Sequence, residues 1–385
     1  METEPKIRIL QTAPGIRKGI SGGIAAMLAN YGIAGKLAVR YKIDYLTLCY
    51  QPMEPYQETL ESFGSEFFCL GIRPKSGVDL VRQAYRDFKS FLSIRPYDIV
   101  HVNSGDPPIV LALCMAAKAS GTKVVIAHSH NAVKESFRHE LYYPILRRMI
   151  VSKSDYQFAC SRVAAASMFS SKYAKTNRWF FIPNAINAEK YSYHEDVRKA
   201  YRKELGLQDD DFVIGHVGRF NTQKNHVFIS KVFRKLAERD NHIFLLLAGT
   251  GELMEPIKKE MVETGLSERV FFLGQRKDVA GLLSAMDVFI FPSLWEGLGV
   301  SAVEAQANGL PCIISDRVPE EVKVSESVYY LPVEDSVNEW VDQVLRIRQA
   351  EHSRNNSVIG SIFDMNRSGE FLASLYDQFF KSKNS

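Results

Sequence analysis

An α/β protein of two doubly wound parallel-sheet domains is predicted by three observations. Short apolar runs alternate with helix-length amphipathic stretches, the pattern of a parallel sheet with helices on both faces. The alternation stops near residue 187 and restarts at residue 212 with the same rhythm. At 385 residues the chain is also too long for one ordinary core.

In the first half the strand-like runs are Lys6 to Thr12, Asp44 to Tyr50, Glu66 to Ile72, Tyr97 to Asn103, Lys123 to Ser129, Tyr156 to Cys160 and Trp179 to Asn184. Helix-length stretches such as Val78 to Leu92 and Pro107 to Ala119 separate them. Ligands of such sheets gather beyond the carboxyl ends of the strands. The first of these loops, Ala13 to Gly32, contains Gly22 and Gly23 at the start of a helix. They would permit close approach to a phosphate, and a tight turn explains them equally well. The fifth run ends in Ala127-His128-Ser129-His130-Asn131, where strand alternation turns both imidazoles away from Ser129. At a carboxyl edge a neutral imidazole could hydrogen-bond a sugar hydroxyl; a buried histidine with a backbone partner is the plainer reading.

Lys134 to Arg178 carries nine Lys/Arg against three Asp/Glu, a local excess of +6, with aromatic and aliphatic residues interspersed. Such a segment could rest on anionic lipid, although a solvated helix face around a buried stripe produces the same pattern. At Ile182-Pro183-Asn184-Ala185-Ile186-Asn187 the first series ends in an ordered turn, which sets the domain boundary.

The second series comprises Phe212 to Gly218, His242 to Gly249, Arg269 to Gly274, Asp287 to Ser293, Pro311 to Ser315 and Val328 to Pro332, joined by helices such as His226 to Glu238 and Glu252 to Glu263. A cleft between two such domains is expected. Arg219 and Lys224 follow the first strand of this series, placing two cations where a diphosphate would need them. Gly249-Thr250-Gly251 repeats the glycine-turn theme after the next strand.

The most informative stretch is Phe291 to Cys312, FPSLWEGLGVSAVEAQANGLPC. It reads as strand, glycine turn and helix, with Glu296 on the turn and Glu304 one turn inside the helix. Unpaired N–H groups at the helix start can hold a phosphate. Glu304 could then accept from two sugar hydroxyls, leaving Glu296 nearer whatever the phosphate carries. Ser301-x-x-Glu304 is also a capping box, which would satisfy the helix's own donors and do nothing else.

Composition narrows the classes. With 46% hydrophobic and 24% charged residues the chain is of ordinary globular type. No apolar run is long enough to cross a bilayer, and the start lacks a signal-type apolar core, so a cytoplasmic protein is expected. Cys49, Cys69, Cys114, Cys160 and Cys312 are scattered without a CxxC pair and read as buried thiols in a reducing compartment. A net charge of +4 is too mild to argue for nucleic acid.

Taken in order, GRFNTQKN, LLLAGTGEL and the stretch from VFFLGQRKDV to PCIISD resemble the carboxyl-terminal domain of retaining GT-B glycosyltransferases of the GT4 family. Glu296 and Glu304 match its two-glutamate motif, and the bacterial capsular and exopolysaccharide enzymes are the most similar type. The resemblance implies an acceptor-side domain over 1–187, a donor-binding domain over 188–362 and a carboxyl-terminal helix over 363–385 that crosses back. It implies that Arg219 and Lys224 bind the donor diphosphate, Glu304 the ribose, and Glu296 the donor sugar. Backbone at Leu298, Gly299 and Val300 would meet the phosphates, and that at Gln275 and Arg276 the base. His128 or His130 would touch the transferred sugar, His128 being favoured as nearer the strand end, with Gly22 and Gly23 over the diphosphate. The family moves a hexose from a nucleotide sugar to an acceptor hydroxyl without cofactor or metal, in keeping with the lack of an Asp-x-Asp triplet. A nucleotide-sugar donor and a saccharide or lipid-linked acceptor are the implied partners, with peripheral contact to the inner membrane face. Ala185 departs from the usual proline-asparagine-glycine turn, which bears on the interdomain hinge.

Two other readings share the two-domain plan. A sugar-nucleotide 2-epimerase would need further acid/base carboxylates, and a non-catalytic partner would have lost Arg219, Lys224 or a motif glutamate. The lack of a GxGxxG after a strand near an acidic ribose ligand speaks against a dehydrogenase.

Overall fold

The computed structural model describes residues 6–13, 23–34, 37–49, 57–73, 76–131 and 137–384. The chain divides into two compact units, Met1–Ile186 with Ile362–Ser385, and Asn187–Ser361.

The first unit is built on seven strands: β1 (Ile7–Ala13), β2 (Tyr41–Thr47), β3 (Phe67–Cys69), β4 (Ile99–Ser104), β5 (Val124–Ser129), β6 (Tyr156–Ala159) and β7 (Phe180–Phe181). They pair in the order β3-β2-β1-β4-β5-β6-β7, and every pairing is parallel. The order reverses between β1 and β4, the switch point at which open α/β sheets collect ligands. β4 and β5 are buried along their whole length, which is why their sequences run apolar without alternation.

The last helix, Met365–Asn384, belongs to this unit. Its Leu372, Ala373, Leu375, Tyr376 and Phe379 join the core formed by Ile9, Ile99, Ile126 and Phe158. The spacing puts these residues on one stripe of the helix. The chain re-enters through a parallel bridge between Ile186 and Asp364, with Ile186 N–H donating to the Phe363 carbonyl at 2.8 Å.

The second unit carries β8 (Phe212–Val217), β9 (Ile243–Ala248), β10 (Val270–Phe272), β11 (Val288–Phe291), β12 (Cys312–Ser315) and β13 (Val328–Leu331). Their order is β10-β9-β8-β11-β12-β13, again all parallel, with the reversal between β8 and β11. Pro292 ends β11, as expected for a residue without a ladder donor. Asp287, just before β11, accepts from Arg198 Nη2 at 2.7 Å and from Val213 N–H at 2.7 Å, tying the helix Glu195–Glu204 to the sheet.

The thirteen apolar runs of the sequence all become strands, most of them trimmed at their ends; β2 is displaced, beginning at Tyr41 rather than Asp44, and β1 and β4 run on to Ala13 and Ser104. The cysteines differ from expectation: Cys114, Cys160 and Cys312 are buried, but Cys49 is half-buried and Cys69 is exposed at the end of the edge strand β3. Among the described residues no helix is long and apolar enough to cross a membrane.

Candidate active site

β8 and β11 are neighbours, so the loops leaving their carboxyl ends lie side by side in the second unit. Backbone bonds join them. Leu294 N–H donates to the Gln223 carbonyl at 2.8 Å, and Asn225, held in the left-handed region at φ 57°, donates its Nδ2 to the Pro292 carbonyl at 3.2 Å. This pairing delivers Lys224 to Glu296, with Nζ 2.6 Å from Oε1. Gln223 Nε2 donates to the other carboxylate oxygen at 3.2 Å. Lys224 Nζ also stands 4.5 Å from the centre of the Phe291 ring. Glu296 is only 6% exposed, so these partners offset the loss of water around its carboxylate. An ammonium has three donors, which leaves Lys224 able to meet an incoming anion as well.

Arg219 is placed otherwise. Its guanidinium lies at the surface, 3.6 Å from Glu252, in an exposed pair of small energetic value. Of the two expected fixed cations, only Lys224 is held against Glu296. The backbone at Gly218 is instead committed to packing. A Cβ at Gly249, where φ is +141°, would lie 2.0 Å from the Gly218 carbonyl oxygen, and one at Gly251 would lie 2.3 Å from that of Phe220. The Gly-Thr-Gly turn is thus a close contact between two loops.

The helix Val300–Ala307 begins on Gly299, which has φ 103° and where a Cβ would lie 3.2 Å from Phe291 and 3.3 Å from Val318. Here the capping-box expectation is overturned. Gly299 is the N-cap, no side chain caps the helix, and Ser301 lies inside the first turn. Ala302 N–H reaches the Gly299 carbonyl at 3.0 Å, and the donors before it have no acceptor within the helix. Leu298 is buried and Val300 is the first helical residue.

Glu304 instead accepts from the Tyr191 hydroxyl at 2.8 Å. Burial pushes its pKa up to about 7, against the opposing pull of the Tyr191 hydrogen bond and of Lys190 and Lys224. Part of the residue stays open to solvent while its carboxyl is enclosed. Tyr191 is anchored in turn by Asn308 Nδ2, which donates to its carbonyl at 2.8 Å. No motif in the sequence marks Tyr191; only the fold brings it to Glu304.

Gln275 is exposed, and Arg276 grips Asp278 with Nε at 2.8 Å and Nη2 at 2.6 Å. That grip holds the Asp278 carboxyl well below the usual carboxylate range. With the Arg276 side chain held by Asp278, a ligand contact at that residue falls to its backbone.

Behind Lys224 lie three further polar residues that sequence reasoning passed over. His216 Nδ1 bonds the Ile290 carbonyl at 2.9 Å, and His226 stacks on Phe220 at 3.9 Å between ring centres. His216 Nε2, both His226 nitrogens and Ser293 Oγ are buried without a partner among the described residues. Burial pushes both histidines down, His226 to about 4, so both are neutral at pH 7.

In the first unit His128 and His130 share one face, their ring centres 3.9 Å apart, while Ser129 points away to the Ala164 carbonyl. His128 lies within β5; its Nδ1 meets His101 Nε2 at 3.1 Å and its Nε2 the Ile182 carbonyl at 3.1 Å. His130 lies just past the strand end, 3.0 Å from Asn103 Oδ1 and 3.0 Å from Asn184. Burial lowers both pKa values, that of His130 to about 4. Gly23 is the first residue of the helix Gly23–Ile33, and Gly22 falls outside the described residues.

Residues 197–358 match the family described as Glycosyl transferases group 1, and residues 22–190 that described as Glycosyltransferase Family 4. The chain is also 31% identical over 348 residues to the putative glycosyltransferase EpsF of Bacillus subtilis, across 89% of its own length and 88% of that relative. The chain belongs to the GT4 glycosyltransferases. A UDP-Gal:alpha-D-GlcNAc-diphosphoundecaprenol alpha-1,3-galactosyltransferase of Escherichia coli is 31% identical over 245 residues, 60% of this chain and 62% of that one. The crystal structure of HepE from Anabaena in complex with UDP superimposes with a TM-score of 0.72 over 97% of this chain and 100% of that chain, at 17% identity. At that identity the likeness shows the fold, the GT-B arrangement of two parallel-sheet α/β domains. In this GT4 transferase the carboxylates of the two-glutamate motif are therefore handled differently before any substrate arrives. Glu296 is paired with a cation and Glu304 with a phenol.

Proposed function

We propose that this GT4 transferase moves a hexose or N-acetylhexosamine from a UDP-linked sugar to a lipid-linked or growing saccharide acceptor in surface polysaccharide synthesis, retaining the anomeric configuration without a bound metal. The observation that carries the reading is the Lys224–Glu296 pair beside the uncapped Val300–Ala307 helix, with Glu304 one turn further in. The UDP donor named for the Escherichia coli relative and the UDP bound by HepE support the choice of base.

In this reaction the bond between the anomeric carbon and the diphosphate breaks, and its electron pair stays on the phosphate oxygen. The acceptor oxygen attacks the face that the phosphate vacates, and its proton passes to that phosphate oxygen. Lys224, with Arg219 and the N–H groups of Leu298, Gly299 and Val300, stabilises the developing negative charge. Glu304 accepts from the ribose hydroxyls, and Glu296 meets the donor sugar. His128 or His130 takes another sugar hydroxyl in exchange for one of its present partners, with Gly22 and Gly23 over the diphosphate and backbone at Gln275 and Arg276 toward the base.

A thermal-shift screen against nucleotide sugars in metal-free buffer tests this, because a ligand of the folded state raises Tm by mass action. One UDP-sugar is expected to raise Tm; a folded sample that responds to none would count decisively against the reading. Glu304 adds a pH signature. Its carboxylate must be ionised to accept from ribose, so with a pKa of about 7 in the free protein, affinity should rise as pH passes upward through neutrality. Glu304→Gln should weaken binding and flatten that dependence. A titration with the intact nucleotide sugar is the right assay, since its diphosphate does not titrate there.

Reversible docking on anionic membrane belongs to the same proposal. Exposed Arg148, Lys153, Lys172, Lys175 and Arg178, with Ile145 64% exposed, provide charge and one apolar side chain. Flotation with anionic vesicles in low salt should carry the protein upward, and high salt should release it. Equal flotation with neutral vesicles, or none with anionic ones, would sink this part.

A further inference from the structure

The buried histidines of the first unit belong to a continuous circuit of hydrogen bonds whose direction can be worked out from its ends. The Ile182 carbonyl can only accept, so His128 carries its proton on Nε2 and its Nδ1 accepts from His101 Nε2 at 3.1 Å. His101 Nδ1 must then accept, and its neighbour at 2.7 Å is the Tyr376 hydroxyl. That hydroxyl takes a hydrogen bond from Gln11 Nε2 at 2.8 Å, which agrees with its giving its own proton to His101. On the far side, Gln11 Oε1 accepts from Asn103 Nδ2 at 2.8 Å, a donor also turned toward the His101 carbonyl at 3.2 Å. Asn103 Oδ1 is left to accept from His130 Nε2 at 3.0 Å. His130 Nδ1 is thereby an acceptor facing Asn184 Oδ1 as oriented, and turning that amide over supplies the missing donor. Two branches leave Tyr376 and end two residues apart, at Ile182 and Asn184.

Every member is buried, and Tyr376 is the one contribution of the carboxyl-terminal helix. We propose that Tyr376 is a positioning residue for the transfer reaction: by joining Gln11 to His101 it links the two branches that hold His128 and His130 in the Nε2–H tautomer and in fixed orientation. The inference rests on the reading that the His128 and His130 edge meets the donor sugar. Tyr376 touches no substrate; it acts through His101 on one branch and through Gln11 and Asn103 on the other. Its ring keeps its place in the core when the hydroxyl is removed, since it packs edge-on against Tyr41 at 5.8 Å.

The test pairs spectroscopy with kinetics. In protein labelled with 15N at histidine, His101, His128 and His130 should each show the pattern of a single Nε2–H tautomer. Tyr376→Phe should broaden or shift the His101 signals toward tautomer exchange. It should also lower kcat by about ten- to a hundredfold, the scale of a small misplacement of reacting groups, with KM for the nucleotide sugar within about twofold. Gln11→Met, which opens the circuit without touching the helix, should do the same and stands in if the tyrosine variant folds poorly. Unchanged histidine signals and unchanged kcat in both variants would overturn the inference. His128→Ala and His130→Ala separate its failure from that of the reading beneath it. If both transfer at the wild-type rate, the donor reading falls and takes this one with it. If either loses transfer while Tyr376→Phe and Gln11→Met keep theirs, this inference falls alone.

Discussion

Lys224→Ala is expected to lower the transfer rate by about a hundred- to a thousandfold, the usual loss when one fixed donor to a developing oxyanion is removed. Arg219 keeps its own part in binding the diphosphate but does not take the place of Lys224 beside Glu296, since its guanidinium sits at the surface with Glu252. The same substitution removes the cation 2.6 Å from Glu296 and leaves that carboxylate with Gln223 alone. Breaking a buried pair costs about 3–5 kcal/mol. With 15% of the Lys224 side chain still exposed, the lower end of that range applies. Activity and stability can be separated. Adding Glu296→Gln to Lys224→Ala removes the stranded charge, so the double variant should regain much of the lost Tm and none of the activity. Initial rates and melting curves on the three proteins decide it, and normal turnover by Lys224→Ala would end the site assignment.

Acid should unfold this protein well before its carboxylates alone would dictate. Burial holds His101 at about 3 and His130 and His226 at about 4, with His128 and His216 well below the ordinary 6.5. Above pH 6.5 these groups are neutral in both states and contribute no pH dependence. Below it the unfolded chain takes up protons that the folded chain refuses, so stability falls with pH by up to about 1.4 kcal/mol per unit for each histidine. Glu304 works in the other direction. Its raised pKa lets the folded state bind a proton first between about 7 and 4.5, which returns some stability on acidification. One carboxyl against five imidazoles leaves a steep net loss between pH 6.5 and about 4, compared with a typical total stability of 5–15 kcal/mol. Melting curves from pH 8 to 4 at constant ionic strength should show Tm rising slightly toward 6.5 as Glu304 takes up its proton and falling sharply below it. The first unit holds three of the five histidines, so its tryptophan or tyrosine signals should change first. A Tm independent of pH down to 4.5 would show that the imidazoles are not held neutral.

Much of the site was legible because it is local. Lys224 follows a strand of the periodic series, and Glu296 lies on the glycine turn after another; two adjacent parallel strands must bring such loops together at the switch point. Glu304 was read from the turn-and-helix order and from the two-glutamate motif, and Gly299 as the N-cap then removed the capping-box alternative. Tyr191 was invisible because it lies in a charged segment without motif or period, 113 residues from the carboxyl it bonds. Where the Arg219 guanidinium rests was not legible. Sequence position gives the start of a long side chain but not its rotamer, and an exposed guanidinium finds whatever carboxylate is near.

What the sequence alone determined is the element list, the parallel topology of both sheets and the family. Each follows from periodicity, loop chemistry or an ordered motif, which are properties of neighbouring residues. Only the tertiary structure decided which polar groups stay charged. Glu296 is paired with a lysine, Glu304 is pushed toward neutrality by burial, and five imidazoles are held neutral in the interior. Ionisation depends on desolvation and on partners from distant strands and helices, and no local pattern in the chain encodes that.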